Sequence, residues 1–512
     1  MVGDVKCELT MLTALLSLAL AAADFAGAVQ CAPCHRAQYD KQRLSHHAGS
    51  LAPILKSALP RKLAGHTVRE SNGLAFTYAM SPNGISVSVA RGGEQSSATL
   101  EWAFGAGVQG ITPVGRIGSR YFEHRVSWYP REGRAGLTIG HHAAAPDPIA
   151  EALGHLQSAE TIYRCFNCHA TGVQTGPDLS GMRPGIECER CHGPGAIHVE
   201  QRTLDVMVGG PSEESSDASI VNPGKLPPEI RDDVCAQCHL AGDARVLQPG
   251  KDYLDFRPGT ALGDVVAIFS VPQTIKGSHF VALDQFEQVK MSRCWTVSKG
   301  KMGCISCHDP HIQLQGEQAA DFFRTRCLSC HAPGSCREPL AQRQATSPPD
   351  NCVQCHMPKH PNENIGHSSN TDHRILRAQS EIPAAPEGNA SRSPTDLIDD
   401  TKPSSPGQTR MNLRTLALAY AQASGHYREF GEKGLALLEE AAAVFPADAE
   451  VQAAYGSVLR VARPREEQRA SEALQKAIDD GSKSAEYYKT TDLLRCAPSS
   501  EPVFCTLKRQ RL

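Results

Sequence analysis

Residues 304–311 read CISCHDPH. Cys304, Cys307 and His308 form C-x-x-C-H, the spacing at which two thiols bond covalently to a porphyrin edge while the adjacent imidazole binds its iron. A second histidine, His311, follows after only Asp309 and Pro310. A six-coordinate iron takes its two axial ligands from opposite faces of the macrocycle, and a two-residue link is too short to carry a side chain round the porphyrin edge. His311 therefore reads as a ligand to the iron of a neighbouring haem; a surface or propionate-binding histidine is the plainer alternative.

That reading requires neighbours, and the chain supplies six more motifs: Cys31, Cys34 and His35; Cys165, Cys168 and His169; Cys188, Cys191 and His192; Cys235, Cys238 and His239; Cys327, Cys330 and His331; Cys352, Cys355 and His356. Histidine is 21 of 512 residues. A random residue would complete about one such motif in 25, so seven in seven is not chance. A zinc ribbon needs no trailing histidine, and a thioredoxin-like site uses one motif beside a βαβ unit. The expected cofactors are seven covalently bound haem c groups, with the seven motif histidines as proximal iron ligands.

Aromatic residues make up only 5% of the chain, few for a core of this length. Seven porphyrins would fill the missing volume. The expected fold is mainly α with extensive irregular loops: a multihaem core, a small β-rich insertion and a C-terminal α-α repeat module. The net charge of −3 gives no argument for a nucleic-acid partner.

Fourteen of the 19 cysteines belong to motifs, leaving Cys7, Cys294, Cys336, Cys496 and Cys505. Haem is attached to such thiols outside the cytoplasmic membrane. Consistent with export, MLTALLSLALAAA at 11–23 has the length of a signal-peptide apolar run, and Ala26-Gly27-Ala28 offers a small-x-small cleavage site. Residues 1–28 are expected to be a signal peptide, leaving a mature chain without a transmembrane span in a bacterial periplasm. Asp4, Lys6 and Glu8 make the leader's start net acidic, where a positive one is usual; initiation at Met11 would remove that feature. A buried N-terminal helix is the alternative. For the spare thiols two arrangements stay open: disulfides Cys294–Cys336 and Cys496–Cys505, or free thiols.

Segments within 66–140, such as LAFTYAM, ISVSVA and RYFEHRVSWY, are rich in β-branched and aromatic residues and are separated by Asn-Gly, Gly-Gly and Arg-Glu-Gly turn signals. They predict an antiparallel insertion within a haem domain spanning 29–375. A Pro-, Ser- and Asp-rich linker is expected at 376–408. Residues 409–490 have helical periodicity, before a tail at 491–512. Ala419-Tyr420 recurs as Ala454-Tyr455, and Ala442 as Ala477, close to the tetratricopeptide period of about 34 residues. Two repeats are few for such an array, so the module is expected to lean on the haem domain or on a partner. An ordinary helical hairpin is the alternative.

GIECERCHGPGAIHV (185–199), SRCWTVSKGKMGCISCHDPH (292–311) and CVQCHMPKH followed by TDHRI (352–375) resemble the multihaem cytochromes c that carry a cytochrome c-552/4-type domain and C-terminal tetratricopeptide repeats. The resemblance covers 29–375 and, more loosely, the repeats. It implies closely stacked haems with mostly bis-histidine ligation. By position, His47, His198, His279, His311, His367 and His373 match the non-motif histidines of that family and are the expected distal ligands. His46 is an alternative to His47. A seventh distal ligand is not evident; His124, His142, His155 and Met182 are available.

Two functions follow. The first is an electron carrier passing electrons between redox partner proteins, docked through the repeats. The second is an oxidoreductase acting on a small nitrogen or sulfur compound, of hydroxylamine, nitrite or tetrathionate type, at one five-coordinate haem. Two imidazoles per iron favour the carrier, because a sealed iron cannot bind substrate. No motif ends in the lysine that marks some related reductases. Scaffolding by the repeats alone would leave seven irons unexplained.

Overall fold

The computed structural model describes residues 25–172, 179, 181–207, 217–271, 285–362, 365–377, 396–401, 409–425 and 427–482, with backbone alone for 159–160, 360–362, 365–370 and 409–412. Cys7, Cys496, Cys505, His279 and most of the expected leader lie outside them, and for His367 only the backbone is described.

The β-rich part is larger than a small insertion. Its strands are β1 (Leu51–Pro53), β2 (Thr67–Arg69), β3 (Ala75–Ser81), β4 (Gly84–Arg91), β5 (Glu94–Phe104), β6 (Thr112–Ile117), β7 (Arg120–His124), β8 (Val126–Tyr129), β9 (Arg134–Leu137) and β10 (Gly154–Leu156). Eight of them form one antiparallel sheet in the order β10-β7-β6-β5-β4-β3-β2, with β1 also on β5, while β8 and β9 make a separate hairpin. Strands thus extend past both ends of 66–140. The flanking β1 and β10 have three residues each, too few for a period-two pattern to show in sequence.

Local chemistry explains the ladder. Gly92 and Gly93, with φ of 60° and 92°, form the two-residue turn between β4 and β5. Positive φ at both turn residues matches the right-handed strand twist and is easy only without a Cβ. Alternate residues Phe76 and Tyr78 of β3, and Ile85, Val87 and Val89 of β4, point inward. They pack with Leu100 and Phe122 against Ile54, Leu59, Leu63, Ala152 and Leu153. One charged pair joins this core's edge: Arg125 grips Glu70 through two nitrogens, at 2.9 and 2.7 Å.

Two smaller ladders follow: β11 (Ala170–Thr171) with β12 (Arg183–Pro184), and β13 (Ala244–Leu247) with β14 (Val266–Ser270). A further pair, β15 (Lys359–Asn362) and β16 (Ile365–Thr371), lies beyond the last motif. Within the stretch read as a linker, β17 (Ile398–Asp399) adds to the edge of β14, and the Thr401 hydroxyl accepts from the Ile268 amide at 3.0 Å.

Four C-terminal helices, Thr409–Ala423, Gly431–Val444, Ala449–Ala462 and Glu467–Asp479, pack consecutively as antiparallel neighbours. Their apolar faces share a core with β13 and β14: Leu418, Leu435, Leu438 and Leu459 cluster with Ala244, Val246 and Phe269. The helices therefore lean on the rest of the chain. The fold is mainly helical only in part, a large antiparallel sheet standing beside the helices and loops.

Leu100 is fully buried at the centre of the sheet's core. Leu100→Ala is expected to cost about 3 kcal/mol by lost transfer energy and the cavity left behind. Denaturant titration of the holoprotein followed by tryptophan fluorescence would measure the loss.

Candidate haem-binding centre

In C-x-x-C-H the two thiols and the imidazole stand at i, i+3 and i+4, which one helical turn gathers on one face. The structure forms such turns at the motifs. Cys165, Cys168 and His169 end the helix Ala159–His169, whose N-cap Ser158 accepts from the Thr161 amide at 3.0 Å. Short helices carry Cys235–His239 and Cys352–His356, the latter capped by Asn351. Cys327 lies in the last turn of Gly316–Leu328, and His35 caps the start of Arg36–Gln42.

The motifs also adjoin one another. The thiols of Cys31 and Cys188, Cys168 and Cys238, Cys235 and Cys304, and Cys327 and Cys352 lie side by side. Cys191 lies near Cys238, and Cys307 near Cys330. The order in space is first, third, fourth, fifth, sixth, seventh, with the second beside the fourth. The second and third motifs start only 23 residues apart in the chain, yet the second motif's Cys168 lies beside Cys238 of the fourth.

Histidines come together in four facing pairs. His35 lies opposite His198 with ring centres 6.3 Å apart, His192 opposite His311 at 6.1 Å, and His308 opposite His373 at 6.3 Å, their planes within 20–26° of parallel. His47 lies opposite His239 at 6.0 Å with planes at 73°. Imidazole–metal bonds of about 2.0–2.1 Å put two trans nitrogens about 4 Å apart and the ring centres, each about 1.1 Å further out, about 6.3 Å apart. Each pair therefore has the separation that one iron between two imidazoles requires.

Hydrogen bonds fix which nitrogen is offered. Nδ1 of His192 is bonded to the Val221 carbonyl at 2.7 Å, of His373 to Thr371 at 2.9 Å, of His169 to Ser50 at 3.1 Å and of His356 to Leu376 at 2.7 Å. His47 lies beside the carbonyl of Pro310. Carboxylates take this role for two others: Asp217 for His198 at 2.6 Å and Asp309 for His311 at 2.9 Å. An occupied Nδ1 leaves Nε2 for a metal and orients the ring. Burial holds His47, His169, His192, His308 and His373 below the usual imidazole pKa, and His239 at about 4. These rings are neutral at pH 7, the form that binds metal.

The surroundings fit a large cofactor with acidic groups. Between 285 and 377, where three motifs lie, Phe286, Ala320 and Leu376 are the buried apolar residues among those described. That is too little for a protein core. Beside Cys238, buried Arg190 leaves Nε and Nη2, and buried Arg245 leaves Nε, without hydrogen-bond partners. Haem propionates suit such donors.

The other available residues fare differently. His124 is fully buried with both nitrogens engaged, Nε2 by the Tyr78 hydroxyl at 2.9 Å and Nδ1 by the Leu153 carbonyl at 2.6 Å, and burial lowers its pKa to about 3. It is a core hydrogen-bonding residue. His46 and His142 are exposed. His155 stacks on His141. Met182 packs in the apolar cluster around Phe166 of the second motif. Among the described residues, no histidine faces His169, His331 or His356 in such a pair. Cys294 and Cys336 are both free: Cys294 lies near Cys330, and Cys336 near Cys355. No helix among the described residues is long and apolar enough to cross a membrane.

Residues 141–193, which hold the second and third motifs, match the family model described as cytochrome c554 and c-prime. In this segment the chain is similar to c-type cytochromes, which hold haem covalently and transfer electrons. A search of curated proteins finds no match. Among solved structures, the crystal structure of the outer cell wall cytochrome OcwA aligns at 15% identity over 89% of this chain and 99% of that one, with a TM-score of 0.36.

Substituting Cys294 and Cys336 together by serine is expected to lower the thiol titre of denatured, unreduced protein by two. A disulfide between them would leave the titre unchanged.

Proposed function

We propose that the chain is an exported, periplasmic multihaem c-type cytochrome, which carries electrons between redox partner proteins through seven covalently bound haems. The four facing imidazole pairs carry this reading. Haem iron, held between two such rings, supplies one-electron redox chemistry at a lower potential than histidine–methionine ligation gives. The seven motif histidines would be proximal ligands. His198, His311, His47 and His373 would be the distal partners of His35, His192, His239 and His308 respectively. His279 and His367 remain proposed for two of the other three irons.

The polypeptide's own work is positional. Hydrogen-bonded Nδ1 atoms orient the rings of His192, His198, His311 and His373, and burial keeps His47, His192, His239, His308 and His373 neutral. Asp217 and Asp309 add negative charge to the imidazoles they hold, which favours the ferric state. The adjoining motifs would place the haems in an unbroken series, with the second as a side branch. The C-terminal helices, read as two tetratricopeptide-like repeats, would present a surface to a partner. The oxidoreductase reading would require an open sixth position at one of the haems of His169, His331 and His356.

Carbon monoxide added to dithionite-reduced holoprotein is expected to leave at least four of the seven haems unchanged in the optical spectrum. A response at more than three would overturn the pairing. Ring orientation gives a second check: near-perpendicular axial rings leave two iron d orbitals almost degenerate, whereas near-parallel rings split them. Low-temperature electron paramagnetic resonance should therefore show a large-gmax signal lost in His47→Ala, and rhombic low-spin signals diminished in His198→Ala. Asp309→Asn is expected to raise the potential of the third haem by up to about 60 mV, the equivalent of a tenfold change for one electron, in a spectroelectrochemical titration.

A further inference from the structure

A second set of metal-ligating side chains lies in the β-rich part. His155 of β10 is the ladder partner of Glu123 of β7. His141 comes from the turn after β9, and its amide bonds to the Thr138 carbonyl at 3.2 Å. Thr138 is itself tied down, its amide to the Arg125 carbonyl at 2.8 Å and its hydroxyl to the His124 carbonyl at 2.7 Å. At Gly154 the two strands run so close that a Cβ would fall 2.0 Å from the Glu123 carbonyl oxygen. The three side chains are thus delivered by rigid backbone.

The His141 and His155 rings stack at 3.7 Å, 7° from parallel. One ligand atom from each of Glu123, His141 and His155 lies within 4.8 Å of the other two. The His141 side chain is 1% exposed, and its Nε2 has no hydrogen-bond partner. Glu123 Oε2 is the acidic atom facing it, at 3.7 Å, beyond hydrogen-bond length. A buried nitrogen left bare beside a carboxylate and a second imidazole is explained if a cation belongs between them.

We propose that Glu123, His141 and His155 bind a divalent first-row transition cation of the zinc class. Two imidazoles and one carboxylate are a donor set for such ions, whereas calcium and magnesium select oxygen alone. Bonds of about 2.0–2.2 Å hold tetrahedral ligand atoms about 3.3 Å apart, so side-chain rotation closes the present spacing. A fourth position would be left to water or to another ligand. The site adjoins the second haem motif, since Tyr121 of β7 packs edge-on against Phe166 within that motif, ring centres 5.7 Å apart.

The test uses full-length holoprotein treated with EDTA, which leaves covalent haem in place, then equilibrated with Zn²⁺ and counted for zinc and iron by mass spectrometry. Wild type is expected to take up one more tightly held zinc per chain than Glu123→Gln or His155→Gln, in which that affinity falls by at least about 100-fold. The haem spectra of both variants should match wild type. Equal zinc uptake by wild type and both variants would overturn the proposal. So would loss of a low-spin haem band in His155→Gln, which would make His155 a haem ligand instead.

Discussion

Facing imidazoles at a fixed separation are the constraint on which the arrangement of the motifs depends. Each pair joins distant parts of the chain: 35 to 198, 47 to 239, 192 to 311 and 308 to 373. Bridged by iron, such pairs would do what a continuous apolar core does elsewhere. The two main apolar clusters lie in the sheet and in the C-terminal helices, and the stretch with the last three motifs has almost no buried apolar side chains of its own. Low aromatic content and crossing histidine pairs fit one arrangement, in which cofactor volume would stand in for side-chain volume.

The turn that follows Cys307 is where several ties meet. His308 faces His373, the Pro310 carbonyl lies beside His47, and His311 faces His192 with Asp309 behind it. Four consecutive residues thus bear on three of the four pairs. Proline suits the middle of this turn, because its ring restricts the backbone while its carbonyl stays free to accept.

What was legible in the sequence was the chemistry that is local in the chain. C-x-x-C-H is one helical turn, and the separation of His308 and His311 excludes a shared iron by length alone. Which rings face each other depends on folding. His46 and His47 are neighbours of one residue type, yet His46 is exposed and His47 is half-buried beside the Pro310 carbonyl, a distinction set by residues more than 250 positions away. The sheet's size was hidden because β1 and β10 are too short to carry a pattern. Cys294 and Cys336 bracket two motifs, a spacing that leaves a bridge and free thiols equally open, and each lies near the thiol of a different motif. His141 gave no signal beyond the doublet it forms with His142; its meaning appears only where β10 brings His155 against it.

The C-terminal helices are fastened at several points. Besides the shared apolar core, Gln422 exchanges hydrogen bonds with the Arg245 backbone, Arg414 bonds to the Leu247 carbonyl at 3.0 Å, and the Tyr427 hydroxyl reaches Asp243 at 3.0 Å. All these anchors fall within nine residues of His239. The module is therefore a bracket and not a tethered arm. Any molecule that settled on it would meet the fourth motif at one set distance and angle, so its electronic coupling would be decided by geometry and not averaged over a swinging linker.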